Sequence, residues 1–292
     1  MGSNPGASLR DYLRRAYEEA HLTSEADLST IQQLTGVLEP DRENLLLVYG
    51  GSFNPPHRGH IDALLSGLRP EVAAIAIVIL PSEDFQLRHK MSSQAPGFFL
   101  HRKRRADIWG AIRSIPRDRV WVWTSTWYPF KPFMEALVRL TKADGFKLVL
   151  SNMIGPDNLK PECPLANPPY ELPRILVTNR ARHIPTKFGT NGKPFTWAGF
   201  GEWCRSPYGG TDDDNKPGQP RVILWMCVGM GDGNAEKRGY YLQYVRTVDT
   251  DINSTSLRHA LVQRHVFNEI SLNQLSTKDL TILLAPMLLD NH

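Results

Sequence analysis

Two histidines three residues apart, His57 and His60, follow an apolar run, and nearly every residue between them and that run is of a kind that shapes a turn. Residues 45–65 read LLLVYGGSFNPPHRGHIDALL. Leu45 to Tyr49 has the composition of a buried strand. Gly50 and Gly51 let the backbone turn sharply and approach a ligand closely. Ser52, Phe53 and Asn54 continue the turn, and Pro55 and Pro56 stiffen it. A helix opening at His57-Arg58-Gly59-His60 sets two imidazoles and the free N–H groups of a first turn at the positive end of a helix dipole. That is chemistry for holding a polyphosphate. Gly59 removes a side chain where the phosphates must approach. An isolated pair of histidines at this spacing more often only caps a helix, but here the strand, the diglycine and the paired prolines fit one geometry. A zinc site fits less well, because further ligands are missing nearby and the HExxH pattern is absent.

The elements that must position this turn follow from hydropathy. From residue 44, apolar runs alternate with helical stretches: runs at 45–49, 72–80, 120–123 and 146–150, and helical stretches at 58–68, 98–114 and 131–143. Such alternation predicts an α/β fold, a doubly wound (Rossmann-like) parallel sheet with helices on both faces and its site at the carboxyl ends of the strands. Ahead of it, residues 8–34 carry apolar residues at helical spacing, and Pro40 and Asp41 break the pattern. This predicts an N-terminal helical extension over 1–43 and a domain over 44–292. Residues 183–220 hold seven Gly, five Pro and the acidic run Asp212 to Asp214, which predicts a long irregular Gly/Pro-rich insertion. Residues 221–229 and 240–245 return to strand character. Ser254 is a candidate helix cap, and Ser276 with Asp279 has the spacing of a capping box.

GGSFNPPHRGH resembles the first signature of the HxGH nucleotidyltransferase superfamily, and its Gly-Ser-Phe-Asn-Pro form is most similar to nicotinamide or nicotinate mononucleotide adenylyltransferases. The resemblance implies that His57 and His60 bind the phosphates of ATP and stabilise charge at transfer, with Gly50, Gly51, Ser52, Phe53 and Gly59 shaping the ATP site. A second family signature is matched near the C-terminus by Asp251-Ile252-Asn253-Ser254-Thr255-Ser256-Leu257-Arg258, with Asn253 in place of a Ser. Ser254 and Thr255 would open a helix and offer hydroxyl and N–H groups to the triphosphate, and Arg258 can reach the same phosphates bidentately. One site then needs both ends of the chain, which argues against two independent domains.

Other echoes are weaker. Gly155-Pro156-Asp157-Asn158-Leu159 resembles the family's Gly-x-Asp-x-Leu turn, so Gly155 and Asp157 are expected at the ATP ribose and phosphates. The sequence is also turn-prone by itself. Trp123, with Trp127 as a rival, is the candidate to stack on a nicotinamide ring, although the family follows that Trp with Glu and this chain has Thr124. Core packing is the competing role for Trp123. Lys90 is expected on substrate phosphate, and Arg180 matches a strand-terminal Arg near the nucleotide. His89-Lys90-Met91-Ser92-Ser93 looks like the KMSKS loop of class I tRNA synthetases, but it lies before the last strand and no tRNA-binding domain follows. The basic run His101-Arg102-Lys103-Arg104-Arg105 is read as a solvated helix face in preference to a nuclear localisation signal or nucleic-acid patch.

Composition bounds the rest. The chain has 292 residues, 41% of them hydrophobic and 22% charged, enough apolar material for a sizeable core. Its net charge of +4 suits an anionic small molecule and falls short of a dedicated nucleic-acid binder. No apolar run approaches the ~20 residues that span a bilayer. The N-terminus has no signal-peptide core, and Gly6 stands where a myristoylation motif prefers Ser or Thr. Three cysteines without a CxxC argue for reduced thiols, hence a cytoplasmic or nuclear protein. The expected activity is transfer of AMP from ATP to nicotinamide or nicotinate mononucleotide, releasing pyrophosphate and forming a dinucleotide for NAD biosynthesis. The expected partners are ATP with Mg²⁺ and a mononucleotide, with no metal-binding residues, no nucleic acid and no membrane. Members of the superfamily commonly assemble, which makes a homo-oligomer an expectation. The alternatives are cytidylyl transfer to a phosphorylated alcohol and a catalytically lapsed nucleotide-binding homologue.

Overall fold

Apolar runs bounded by turn residues pair edge to edge when both of their faces can be covered. The computed structural model describes residues 6–93, 99–162, 164–165, 172–180, 193–206, 222–230, 237–244, 258–259, 274, 276–279 and 284. In chain order its elements are β1 (Ala7–Ser8), α1 (Leu9–Glu19), α2 (Glu25–Ile31), β2 (Val37–Leu38), β3 (Glu43–Gly51), α3 (Arg58–Gly67), β4 (Ala74–Pro81), α4 (Asp84–Met91), α5 (Arg102–Ala111), β5 (Val120–Val122), α6 (Phe130–Ala143), β6 (Lys147–Ile154), β7 (Arg174–Thr178), β8 (Cys204–Arg205), β9 (Val222–Val228) and β10 (Arg238–Tyr244). Eight strands make one sheet in the order β5-β4-β3-β6-β7-β10-β9-β8. From β5 across to β10 every neighbouring pair is parallel. The expected α/β fold is therefore present, with one correction at an edge. There β9 and β8 run antiparallel. Nine residues separate β9 from β10, fewer than a parallel crossover needs, so the chain returns as a ribbon.

Alternate residues of the central strands feed two cores. Leu47 and Tyr49 join Ile61 and Leu64 of α3 and Trp109 of α5 on one face. Leu46 and Val48 join Leu9, Leu13 and Tyr17 of α1, Ile31 of α2 and Phe133 and Leu137 of α6 on the other. The N-terminal helices are thus part of the layer that closes this second face. The described part of the insertion packs on the sheet. Trp197, Phe200 and Trp203 form a third core with Ile154, Val177 and Tyr241, and β8 pairs with β9. Residues 183–192 and 207–220, including Asp212 to Asp214, lie outside the described residues. The segment after β4 contains helix α4, which carries Lys90.

Two local features aim the site. From β3 the chain proceeds to β4 and β5 on one side, whereas β6 and β7 lie on the other. The carboxyl end of β3 therefore borders the switch point where an open parallel sheet leaves a crevice. Gly67 lies so close to the sheet that a Cβ there would stand 2.9 Å from Leu47 Cδ1 and from Met153 Sδ. That close seat fixes α3, and with it the first turn carrying the histidines.

Candidate phosphate-binding site

The turn after β3 is built from its own side chains. Phe53 takes a left-handed φ of +46°, which costs energy for a residue with a Cβ and is held by burial. Its ring stands edge-on to Tyr49, Trp109 and His60, each at 5.1 Å between centroids for Phe53–Tyr49, Phe53–Trp109 and Phe53–His60. A Cβ on Gly51 would come within 2.8 Å of that ring, so this position requires glycine. The Asn54 side chain accepts from the Leu100 N–H at 2.8 Å and fixes the far side of the turn.

The two imidazoles stack, with centroids 3.7 Å apart. His57 is the N-cap residue of α3, and its backbone N–H donates to His60 Nδ1 at 3.3 Å. That bond leaves the proton of neutral His60 on Nε2, making that atom a donor. His57 is only 7% exposed, and its Nδ1 has no hydrogen-bond partner among the described residues. Burial brings the His57 pKa down to about 4. Burial, with help from charge on His57 and Lys90, holds His60 well below the usual imidazole range. At neutral pH without a ligand both rings are uncharged donors and acceptors.

Cations approach from both sides. Lys90, on α4, lies with Nζ 3.5 Å from Ser52 Oγ. Arg258 is 2% exposed, and its Nη1 donates to the Asn54 carbonyl at 3.1 Å across 204 residues of sequence. Burial lowers its pKa, but a guanidinium remains charged. The structure thus brings Arg258 to the loop that carries His57 and His60. Ser254 and Thr255 lie outside the described residues.

No protein-family model matches the chain, and no curated protein sequence matches it. Among solved structures it is similar to one of Plasmodium falciparum nicotinic acid mononucleotide adenylyltransferase complexed with NaAD. The likeness has 13% identity and a TM-score of 0.40, covering 85% of this chain and 100% of that one.

The remaining candidates divide. Gly155 and Asp157 sit directly after β6, the neighbour of β3, in a short 3₁₀ turn. Asp157 is exposed, and its charge helps raise the pKa of Tyr49. Arg180 follows β7, half-buried, with its guanidinium 5.1 Å from the centre of the Tyr244 ring. Gly50 and Gly59 occupy the strand end and the first turn of α3 as expected.

Trp123 requires a correction. It is 0% exposed, and its ring is packed against Tyr17, Trp121, Phe130 and Phe133. Its indole N–H donates to the Thr126 carbonyl at 2.8 Å. The residue alternation of β5 sends it into the core under α1 and α6, so it offers no face to a ligand. Trp127 instead reaches the carboxyl end of β4, half-buried, with its indole N–H on the Pro81 carbonyl at 2.9 Å.

The basic run is corrected as well. Lys103 is exposed, but Arg102 and Arg105 are buried. Arg105 donates to the carbonyls of Ser52, Ser82 and Leu100 and to the Asp84 carboxylate, at 2.7, 2.7, 2.8 and 3.0 Å. Arg102 donates to the carbonyls of Pro81, Trp123 and Thr124. These two side chains tie together the loops that follow β3, β4 and β5. Their signal was in the helical spacing: Arg102 and Arg105 share the face of Ala106 and Trp109. An open groove of about 810 Å³, lined by Val48, Phe130, Met134, Val138 and Leu150, lies on the opposite face of the sheet from α3.

Proposed function

We propose that the chain is a nucleotidyltransferase that moves AMP from ATP to nicotinamide or nicotinate mononucleotide, releasing pyrophosphate. The observation that carries this reading is the meeting of Arg258 with the turn that bears His57 and His60. A buried guanidinium, an exposed ammonium on Lys90, two stacked imidazoles and a helix N-terminus converge where a triphosphate can be held.

In the proposed reaction a phosphate oxygen of the mononucleotide attacks the α-phosphorus of ATP in line. The bond from that phosphorus to the bridging oxygen breaks, and pyrophosphate leaves with the electron pair. No side-chain nucleophile is needed, so the protein contributes positioning and charge neutralisation. His60 Nε2–H donates to phosphate oxygen, and Arg258 and Lys90 offset the charge that gathers on the leaving group. In this reading Asp157, in the turn after β6, accepts from a ribose hydroxyl. Mg²⁺ enters this reading as part of the substrate, MgATP, keeping mostly water and phosphate oxygens as ligands.

Burial of Trp123 removes one residue on which a pyridine acceptor was expected, so cytidylyl transfer to a phosphorylated alcohol stands as the second reading. Pyrophosphate release is measured with ATP or CTP against nicotinamide mononucleotide, nicotinate mononucleotide and phospho-alcohols. Turnover is expected with ATP and a pyridine mononucleotide. His60→Ala should reduce it at least about a hundredfold while the fold persists. Undiminished release by that variant removes the assignment.

A further inference from the structure

We propose that Asp27, on the N-terminal helix α2, is a positioning residue for the acceptor side of the site, holding the loop after β5 so that Trp127 lies at the carboxyl edge of the sheet. The term acceptor rests on the transferase reading above.

Asp27 is 0% exposed and 97 residues away in sequence from the loop it binds. Its Oδ1 accepts from the Thr124 N–H at 2.7 Å and the Thr124 hydroxyl at 2.9 Å. Its Oδ2 accepts from the Ser125 hydroxyl at 2.8 Å and the Tyr17 hydroxyl at 3.1 Å. A carboxylate enclosed in protein needs this many donors, so the loop and the carboxylate specify each other's place. From the other side Arg102 donates to the Thr124 carbonyl at 2.6 Å. Thr124 is thereby gripped between an anion from α2 and a cation from α5.

The next residues carry that grip to the site. The Trp127 N–H donates to Glu83 Oε1 at 2.6 Å, and its indole N–H donates to the carbonyl that ends β4. β4 is the neighbour of β3, and Ser82 just beyond it donates its N–H to the Gly51 carbonyl at 2.9 Å. The 124–127 loop therefore stands about two strand spacings, roughly 10 Å, from the phosphate turn. That is the side on which Lys90 lies. Asp157 and Arg180 lie on the other side, after β6 and β7.

The test compares Asp27→Asn and Ser125→Ala with Tyr12→Phe, which removes the hydrogen bond from α1 to Asp144 and leaves every bond to Asp27 in place. In the first two the KM for the mononucleotide should rise roughly tenfold, while the KM for ATP stays within about twofold. Tyr12→Phe should leave both constants near wild type. Equal rises in the two KM values, or a Tyr12→Phe effect on the mononucleotide as large as that of Asp27→Asn, overturn the inference. If Asp27→Asn does not fold, Ser125→Ala carries the comparison. Wild-type turnover is scored separately, and its absence with every acceptor overturns the transferase reading alone. Hydrogen exchange then decides for Asp27: the Thr124 amide should exchange roughly tenfold faster once its acceptor is weakened. Unchanged exchange overturns the role.

Discussion

A histidine withdrawn from water loses its proton readily, and the stacked pair of His57 and His60 turns this into pH dependence. His57 titrates near 6.5 in an unfolded chain and near 4 here. Between those values the unfolded state binds the extra proton. The contribution is whole above about pH 6.5 and is lost as the pH falls toward 4, amounting to about 3 kcal/mol. Urea midpoints measured from pH 7 down to pH 4.5 should fall more steeply for wild type than for His57→Gln. A slope equal in the two proteins would mean that His57 is not held neutral. A bound triphosphate acts in the opposite direction, because its charge favours the imidazolium. Binding of ATP should then take up protons, read as a dependence of the calorimetric heat on the buffer's ionisation enthalpy. His57→Gln should diminish that uptake.

The phosphate turn depends on elements that hold strand ends in register. Arg105 is the main tie, since one buried guanidinium satisfies three carbonyls from three separate segments. Burial lowers its pKa to about 10, so it is charged throughout the physiological range. Arg105→Met should destabilise the protein by about 3–5 kcal/mol in chemical denaturation, because it takes a buried donor from three carbonyls and the charge partner from Asp84. Arg105→Lys keeps the charge but lacks the fork, so it should recover only part of that loss. A loss below about 1 kcal/mol for Arg105→Met would contradict the role. These ties also explain what sequence reading reached and where it stopped. The strand ending in Gly50-Gly51 and the helix opening at His57 were legible because backbone geometry dictates glycine and the cap. The helical spacing of Arg102 and Arg105 with Ala106 and Trp109 marked a buried face, but what they bind, and the position of Asp27, were not legible, because a charged residue advertises exposure unless its distant partners are known. Trp123 misled for a related reason. A large aromatic at a strand end has the same composition signal whether it faces ligand or core, and only the alternation set by Val120 and Val122 on the other face decides it.

At the scale of the whole molecule, segments far apart in sequence meet at the carboxyl ends of the strands. Helix α2 supplies Asp27 near the start, and Arg258 arrives near the end. The sheet edge beyond β10 was the least legible part, because the antiparallel return of β9 reflects the short connection between β9 and β10 and not any apolar pattern. Arg258 is where closure and ligand binding meet. Its bond to the Asn54 carbonyl holds the phosphate turn from behind, and its charge faces the anion in the proposed reaction. Arg258→Met should therefore act twice. Without ligand the variant should lose about 1–2 kcal/mol, the cost of leaving a buried carbonyl without its donor. With ATP at a hundred times the wild-type Kd, wild type should gain about 2.7 kcal/mol, and the variant almost none. Thermal melts with and without MgATP separate the two effects. A variant that melts early but keeps the full ATP-induced shift would show Arg258 to be a strut of the fold with no part in phosphate binding.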